Sequence, residues 1–358
     1  MKRTILVTDA HYKHSIALIE DIRKTYKKEF TIIGLTEYPK ILKAYKYCDK
    51  ILSGCLIEIN AKINPHFIIP VGSKSVKIAS SNKFKNVIIP SKESLIYSLD
   101  KFKTFELAKK LNFKYPETHI LKKKLEIDEN IKYPIVCKPL NESIEKFDSI
   151  YVNDKNELTD LYKKLKFDPS KSYIIQQKIE GVGRGYFSIY NNSEEVCFYM
   201  HERIREQPIT GGYSTAAKSI YCNKMKAISK KILEGLNWNG PVMLEYKYDK
   251  KTEEYFLLEI NPKFWGSLEL GIASGVNLGT ALVSSYFNDK IYKDKKYQTN
   301  VKFYWPLDGD IISLFQLKSF KHFISYFKLN FRKNIGKSKR ADLIKLIWLI
   351  KNNIFKIG

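Results

Sequence analysis

Two carboxylates carry the clearest chemistry in this sequence. Glu245 lies in VMLEYKYD (242–249) and Glu259 in EYFLLEINP (254–262), with a short polar turn between the segments. Period-two alternation predicts Met243, Glu245 and Lys247 on one face of the first strand. It predicts Tyr255, Leu257, Glu259 and Asn261 on one face of the second. A hairpin paired about Lys251 sets Glu245 diagonal to Glu259, within reach across the ladder. Like charges this close repel unless a cation compensates them. Two carboxylates with the amide oxygen of Asn261 are hard donors, suited to a Mg²⁺ ion that also holds phosphates. The plainer alternative is a solvated acidic face on a surface hairpin.

Three further segments add positive charge or polar groups. In YPIVCKP (133–139), Lys138 follows Ile135, Val136 and Cys137, so it needs an anionic partner or must reach for water. IIQQKIEG (174–181) runs from an apolar strand into two amides, an acid and a glycine, which suits a hinge with groups able to meet a purine edge. In HERIREQPITGGYST (201–215), Arg203 and Arg205 are expected on one face with His201 beside them, and Gly211-Gly212 as a mobile loop. Arg184, Arg203 and Arg205 are three of only seven arginines, against 55 lysines, and Arg alone grips phosphate or carboxylate bidentately. Structural readings stand beside these: a snorkelling lysine, an ordinary strand end, a half-buried histidine and ion pairs with Glu202 and Glu206.

The elements that must position these groups fall into two patterns. Over the first 110 residues or so, short apolar runs (4–10, 30–36, 66–72, 86–90) alternate with helical stretches at 15–28, 40–47 and 73–81. That is the pattern of a doubly wound parallel sheet, whose carboxyl-end loops TDAHYKHS and PVGSKS are candidate ligand loops. Neither loop is a GxGxxG, which argues against a dinucleotide. Residues 94–112 read as one helix. Beyond them the strands lengthen and alternate, as in antiparallel sheet of an α+β domain, with a helix at 224–236.

Composition sets the bounds. The 358 residues are 44% hydrophobic, enough for two or three domains with real cores. Cys48, Cys55, Cys137, Cys197 and Cys222 are scattered, which excludes a disulfide scaffold or zinc ribbon, and Cys137 and Cys197 read as packing residues. The N-terminal apolar run is too short for a signal peptide and no membrane-length apolar stretch occurs, so a cytoplasmic location is expected. The net charge of +24 is uneven: residues 317–358 hold 11 Lys and Arg against Asp342. No nucleic-acid motif accompanies it, and no nucleic-acid partner is expected. The Lys-spotted segments 311–330 and 341–356 suit helices packed on the body. A sharper expectation is contact with an anionic membrane or polymer, peripheral to the inner membrane face.

In this order, a Lys strand, a hinge strand, an Arg strand, a Glu strand and an E-x-N-P strand, the sequence resembles the ATP-grasp superfamily over roughly residues 1–290. LLEINPKFWGS is the strongest element, and RIREQPITGGYS is similar to the predicted carboxylate–amine ligase branch. The resemblance implies an N-terminal α/β domain (1–112), two ATP-grasp lobes with antiparallel sheets (113–178 and 179–300) and a basic helical tail (301–358). It implies ATP contacts at Lys101, which follows Asp100, and at Lys138, with the nucleotide base and ribose at Gln176, Gln177, Ile179 (through its backbone) and Glu180. It implies magnesium ligands at Glu245, Glu259 and Asn261, two Mg²⁺ ions with Mn²⁺ as a substitute, and catalytic charge from Arg203, Arg205 and Lys263. The implied reaction joins a small carboxylate, an amino acid first, to an amine through an acyl phosphate, releasing ADP and phosphate. Phosphotransfer to another acceptor and a non-catalytic nucleotide-binding module at a membrane are the alternatives. The sequence departs from the pattern at three places: PLNESIEKFDS lacks the usual phosphate-covering glycines, Gln176 stands where an acid is frequent, and Lys263 stands for Arg.

Overall fold

The computed structural model describes residues 2–39, 47–121, 131–140, 149–164, 173–208, 211–293, 295–310 and 313. The tail beyond Ser313, the PLNESIEKFDS loop after Leu140 up to Asp148, and nearly all of the helix expected at 40–47 lie outside these residues.

Four short apolar strands form a wholly parallel sheet in the order β3-β2-β1-β4: β1 (Thr4–Val7), β2 (Thr31–Leu35), β3 (Lys50–Leu52) and β4 (Phe67–Ile69). Helix α1 (Lys13–Tyr26) connects β1 to β2, α2 (Leu56–Ile63) connects β3 to β4, and α3 (Ser73–Ser81) follows β4. β1 and β4 are buried almost throughout, as strands covered on both faces must be. The apolar run at 86–90 contributes a single bridge, Ile68 to Val87, because Pro90 and the helix cap at Ser91 end it.

The single helix expected over 94–112 is two, α4 (Lys92–Leu99) and α5 (Lys101–Lys110). Apolar spacing continues across the break, but Asp100 is extended and its carboxylate accepts from the amides of Phe102 at 2.8 Å and Lys103 at 3.3 Å. That is an N-cap. It makes Lys101 the first residue of α5.

Two antiparallel sheets follow. One has the order β5-β8-β6-β7, from β5 (Thr118–Leu121), β6 (Ile135–Pro139), β7 (Ile150–Val152) and β8 (Tyr173–Gln177), with α6 (Lys155–Lys164). The other has the order β13-β12-β9-β10-β11-β14. Its strands are β9 (Val182–Asn191), β10 (Glu194–Gln207), β11 (Tyr213–Ile220), β12 (Gly240–Asp249), β13 (Glu254–Asn261) and β14 (Lys302–Tyr304). α7 (Asn223–Gly235), α8 (Leu268–Ala273) and α9 (Leu278–Phe287) complete the described α-helices, and a short helical turn spans Pro306–Asp310. The elements α2, α6, α8, α9, β5, β7, β11 and β14 were not expected. β11 begins at Tyr213, directly after Gly211-Gly212.

The parallel sheet and one face of the six-stranded sheet share a core that runs from Ile5, Val7 and Phe67 to Phe187, Tyr199 and Ala217. The opposite face, with Tyr186, Leu244 and Tyr246, packs on α7 through Met225, Ile232 and Leu233. α1 is also tied to α9: the Asp21 carboxylate accepts from the Gly279 and Thr280 amides at 2.8 and 3.0 Å.

Candidate functional site

The carboxylates meet more directly than simple alternation predicts. In register Glu245 stands opposite Glu259 and Met243 opposite Asn261, whereas Tyr246 stands opposite Leu257. Leu258 is therefore an extra residue, a β-bulge. It corrects two expectations. Glu245 and Glu259 are direct cross-strand partners rather than diagonal ones. Tyr255 and Leu257 leave the Glu259 face and pack into the core beneath, with Tyr246.

Positive charge converges on this pair from three elements. Lys101 Nζ at the start of α5 lies 3.6 Å from Glu259 Oε2. Arg203 Nη2 of β10 lies 2.8 Å from Glu245 Oε1. Lys138 reaches over from β6. Burial and then Lys101 lower its ammonium to about 8, while Glu259 and Glu245 oppose that shift. Asn261 Nδ2 donates to Glu259 Oε1 at 2.7 Å. Burial pushes Glu259 up, but Lys101, the Asn261 amide, Lys138 and Lys263 outweigh it, and its carboxyl is held well below the usual range. Glu245 moves the other way, raised by burial and by Glu259 despite Arg203. Opposed shifts in neighbouring carboxylates are typical of a site built for chemistry rather than for a surface hairpin. Lys263 acts on both Glu259 and His14, and the next amide, of Phe264, donates to Val71 C=O at 3.3 Å, tying the end of β13 to the end of β4.

Two glycines let Arg203 reach across the sheet. β9 reads VGRGY, with Gly185 between Glu245 and His201 in register. A Cβ on Gly183 would lie 2.7 Å from Arg203 Cδ, and one on Gly185 would lie 3.4 Å from His201 Nε2. The arginine stem thus lies flat over β9. Neither glycine was expected in the site, although glycine at alternate positions of a strand is itself a sign of close approach. His201 is 1% exposed, and among the described residues neither of its ring nitrogens is hydrogen-bonded and Arg203 Nε also lacks a partner. Burial and then Arg203 lower the His201 imidazole far below its usual range, so it is neutral.

Arg205 does not join this group. The register shifts between Arg203 and Arg205, which stand opposite Ala217 and Ala216. Those two neighbours on β11 point to opposite faces, so the arginines do not share one. Arg205 instead grips Asp310 with two bonds of 2.7 Å, from Nε and Nη2, in a fully buried pair that also takes Thr215 Oγ1 at 3.0 Å. Nor does it pair with Glu206. That acid lies 3.2 Å from Arg203 Nη1, whose other bond of 2.8 Å goes to Gly212 C=O.

The hinge residues sit at the end of β8. Gln176 is buried and donates to Thr118 Oγ1 at 2.8 Å. The Gln177 amide is spent on Glu117 C=O at 2.8 Å. Ile179 and Glu180 follow the strand, and Glu180 lies at the solvent, 2.8 Å from Lys178. A Cβ on Gly211 would lie 2.3 Å from the Tyr151 hydroxyl, so the Gly211-Gly212 turn rests on β7 of the smaller antiparallel sheet.

No family model matches the sequence, and no curated protein matches it. Solved structures do match the fold. The L-amino acid ligase from Bacillus licheniformis superposes with a TM-score of 0.59 at 12% identity, covering 80% of this chain and 75% of that one. The biotin carboxylase–β,γ-ATP complex from Campylobacter jejuni gives 0.63 at 14%, over 84% and 74%. The N5-carboxyaminoimidazole synthetase from Staphylococcus aureus gives 0.65 at 12%, over 84% and 81%. With its parallel sheet followed by two antiparallel sheets, the chain has the ATP-grasp fold.

Proposed function

We propose that this protein is an ATP- and Mg²⁺-dependent carboxylate–amine ligase. The observation that carries the reading is the opposed pair Glu245 and Glu259, ringed by Lys101, Lys138, Lys263 and Arg203 from separate elements. Among the described residues no group of three or more His, Cys, Asp or Glu could hold a metal. Two carboxylates and an amide oxygen do fit Mg²⁺, which completes its shell with water and substrate phosphates. Glu245, Glu259 and Asn261 would hold it. When bound, the ion supplies neutralising charge to the β- and γ-phosphates.

Lys101 and Lys138 bind the nucleotide phosphates, and the end of β8 from Gln176 to Glu180 receives the nucleoside. The substrate carboxylate attacks the γ-phosphorus in line, the bond to the ADP oxygen breaks, and an acyl phosphate forms. Arg203 stabilises charge on the transferred phosphoryl group, and Lys263 steadies the acyl phosphate. The amine then attacks the acyl carbon, phosphate leaves with the bonding pair, and the nitrogen gives its proton to solvent. Catalysis here is positioning plus charge neutralisation, with no covalent enzyme intermediate. Arg205, locked to Asp310, supports β10 rather than substrate. An amino acid is the first carboxylate to test, given the similarity in fold to an L-amino acid ligase.

Incubating the protein with MgATP, pooled carboxylates and excess hydroxylamine tests the reading. A hydroxamate formed in step with ADP is expected. ADP without any hydroxamate would favour phosphotransfer instead.

A further inference from the structure

The bonds of Arg203 conflict with the work proposed for Glu245. Its guanidinium is divided between two tasks. Nη1 is anchored to Glu206 Oε1 at 3.2 Å and to the Gly212 carbonyl at 2.8 Å. Nη2 lies 2.8 Å from Glu245 Oε1, on the next strand but one. The stem crosses β9 where Gly183 offers no side chain: a Cβ there would lie 2.7 Å from Arg203 Cδ and 2.6 Å from Glu206 Oε1. Only 7% of the arginine side chain and 13% of that of Glu206 are exposed. Nε has no hydrogen-bond partner among the described residues, and neither has the His201 ring, two residues back on β10. The guanidinium therefore has one fixed end, one end on a carboxylate and one donor to spare.

That carboxylate cannot serve Arg203 and a metal ion alike. A divalent cation on either oxygen of Glu245 would stand against the guanidinium, and like charges in a buried site repel strongly. Glu259 is in the same position, with Lys101 Nζ 3.6 Å from Oε2. Each carboxylate already has a protein cation, so a bare ion gains little by displacing one. Nucleotide phosphates change the balance. They supply negative charge that draws Arg203 and Lys101 away, leaving the carboxylates free to hold the ion.

We propose that Arg203 is an exchangeable counter-ion: it neutralises Glu245 until metal and nucleotide enter together, and then turns to the γ-phosphate. Glu206 is the positioning residue on which it turns, because the bond to Nη1 is compatible with either placement. Resting on the ligase reading, this exchange means that the ion loads with the nucleotide and not before it.

Electron paramagnetic resonance of Mn²⁺ tests this without turnover, on the full chain, with ADP or the β,γ-methylene analogue of ATP. The parent is expected to bind Mn²⁺ alone no more tightly than about 1 mM. Arg203→Met, with circular dichroism unchanged, should bind Mn²⁺ alone about tenfold or more tightly. Lys247→Met removes a charge that lies 4.0 Å from Glu206. It leaves the bond between Arg203 and Glu245 intact, so Mn²⁺ affinity should stay within about threefold of the parent. Glu206→Gln should lower the preference for the triphosphate analogue over ADP by about threefold to tenfold, with ADP affinity unchanged. A merely structural role would weaken both nucleotides alike. Micromolar binding of Mn²⁺ alone by the parent, no tighter binding in Arg203→Met, an equal gain in Lys247→Met, or an unchanged nucleotide preference in Glu206→Gln would each overturn the proposal. The ligase reading fails separately, if the parent binds neither nucleotide with Mn²⁺ present.

Discussion

Two faces of the six-stranded sheet treat their charges in opposite ways at adjacent cross-strand rows. On one, Arg184 has every need met. It bonds Glu202 at 2.6 and 2.8 Å, bonds the Tyr255 hydroxyl, and stacks 3.8 Å above the Tyr248 ring. Glu202 also takes Lys218 at 2.9 Å. Burial pushes that carboxyl up, but Lys218 and Arg184 outweigh it and hold it below its usual range. One residue along, on the other face, Glu245 is raised beside Glu259, and His201 and Arg203 Nε have no hydrogen-bond partner among the described residues. A buried polar group without a partner costs about 1–3 kcal/mol. The first face is closed and serves the fold. The second keeps polar groups unmet, which on the ligase reading a ligand completes.

The largest effect should come from removing charge on the open face. Glu259→Gln is expected to cut ADP formation about 10²–10³-fold or more at a temperature where the variant stays folded, because the carboxylate would hold the ion that neutralises the bound phosphates. Turnover within a few-fold of the parent would sink the metal-ligand assignment. Gly183→Ala probes the same face by geometry. Its Cβ would meet Glu206 Oε1 at 2.6 Å and Arg203 Cδ at 2.7 Å, so Arg203 must leave its place over β9. Misplacement of a charged group by about 1 Å can cost about 10²-fold, and a loss of tenfold or more is expected in steady-state ADP release.

Much of this contrast was legible in the sequence. Alternating apolar strands that carry Glu245 mid-strand and Glu259 and Asn261 near a strand end, and a lysine in an apolar strand, are local patterns. The bulge at Leu258 was not legible, because one inserted residue leaves the letters unchanged while it turns Tyr255 and Leu257 to the other face. The register shift after Arg203 misled in the same way. Arg205 found Asp310, 105 residues away, and no periodicity reports a partner at that distance. Gly183 and Gly185 could have been found, since glycines at alternate strand positions mark close approach. β7 and α6 are short or polar, and their packing on β6 and β8 decides them.

A smaller effect should appear with pH. Burial and Lys101 lower Lys138 to about 8, so free protein loses that charge as pH rises through about 8. MgATP affinity, measured by calorimetry from about pH 7 to 9.5, should fall by up to about tenfold per unit above 8. Lys138→Arg stays charged and should flatten the profile. The sign for stability is opposite. Between about 8 and the ordinary 10.5 the unfolded chain binds the extra proton, so this group makes folding more favourable as pH rises. A flat MgATP profile in the parent protein would remove Lys138 from the phosphate contacts.

The smallest effect on turnover is expected on the closed face, and there the contrast is sharpest. Arg184→Met keeps an apolar stem over Tyr248 but leaves Glu202 with Lys218 alone. Losing charged hydrogen bonds should cost about 1–3 kcal/mol of stability, a melting temperature lower by a few degrees for a chain of this size. At a temperature where the variant stays folded, ADP release should remain within about twofold of the parent. A variant that keeps its melting temperature but loses tenfold in turnover would show that Arg184 reaches the ligand. The division into a closed and an open face would then be wrong.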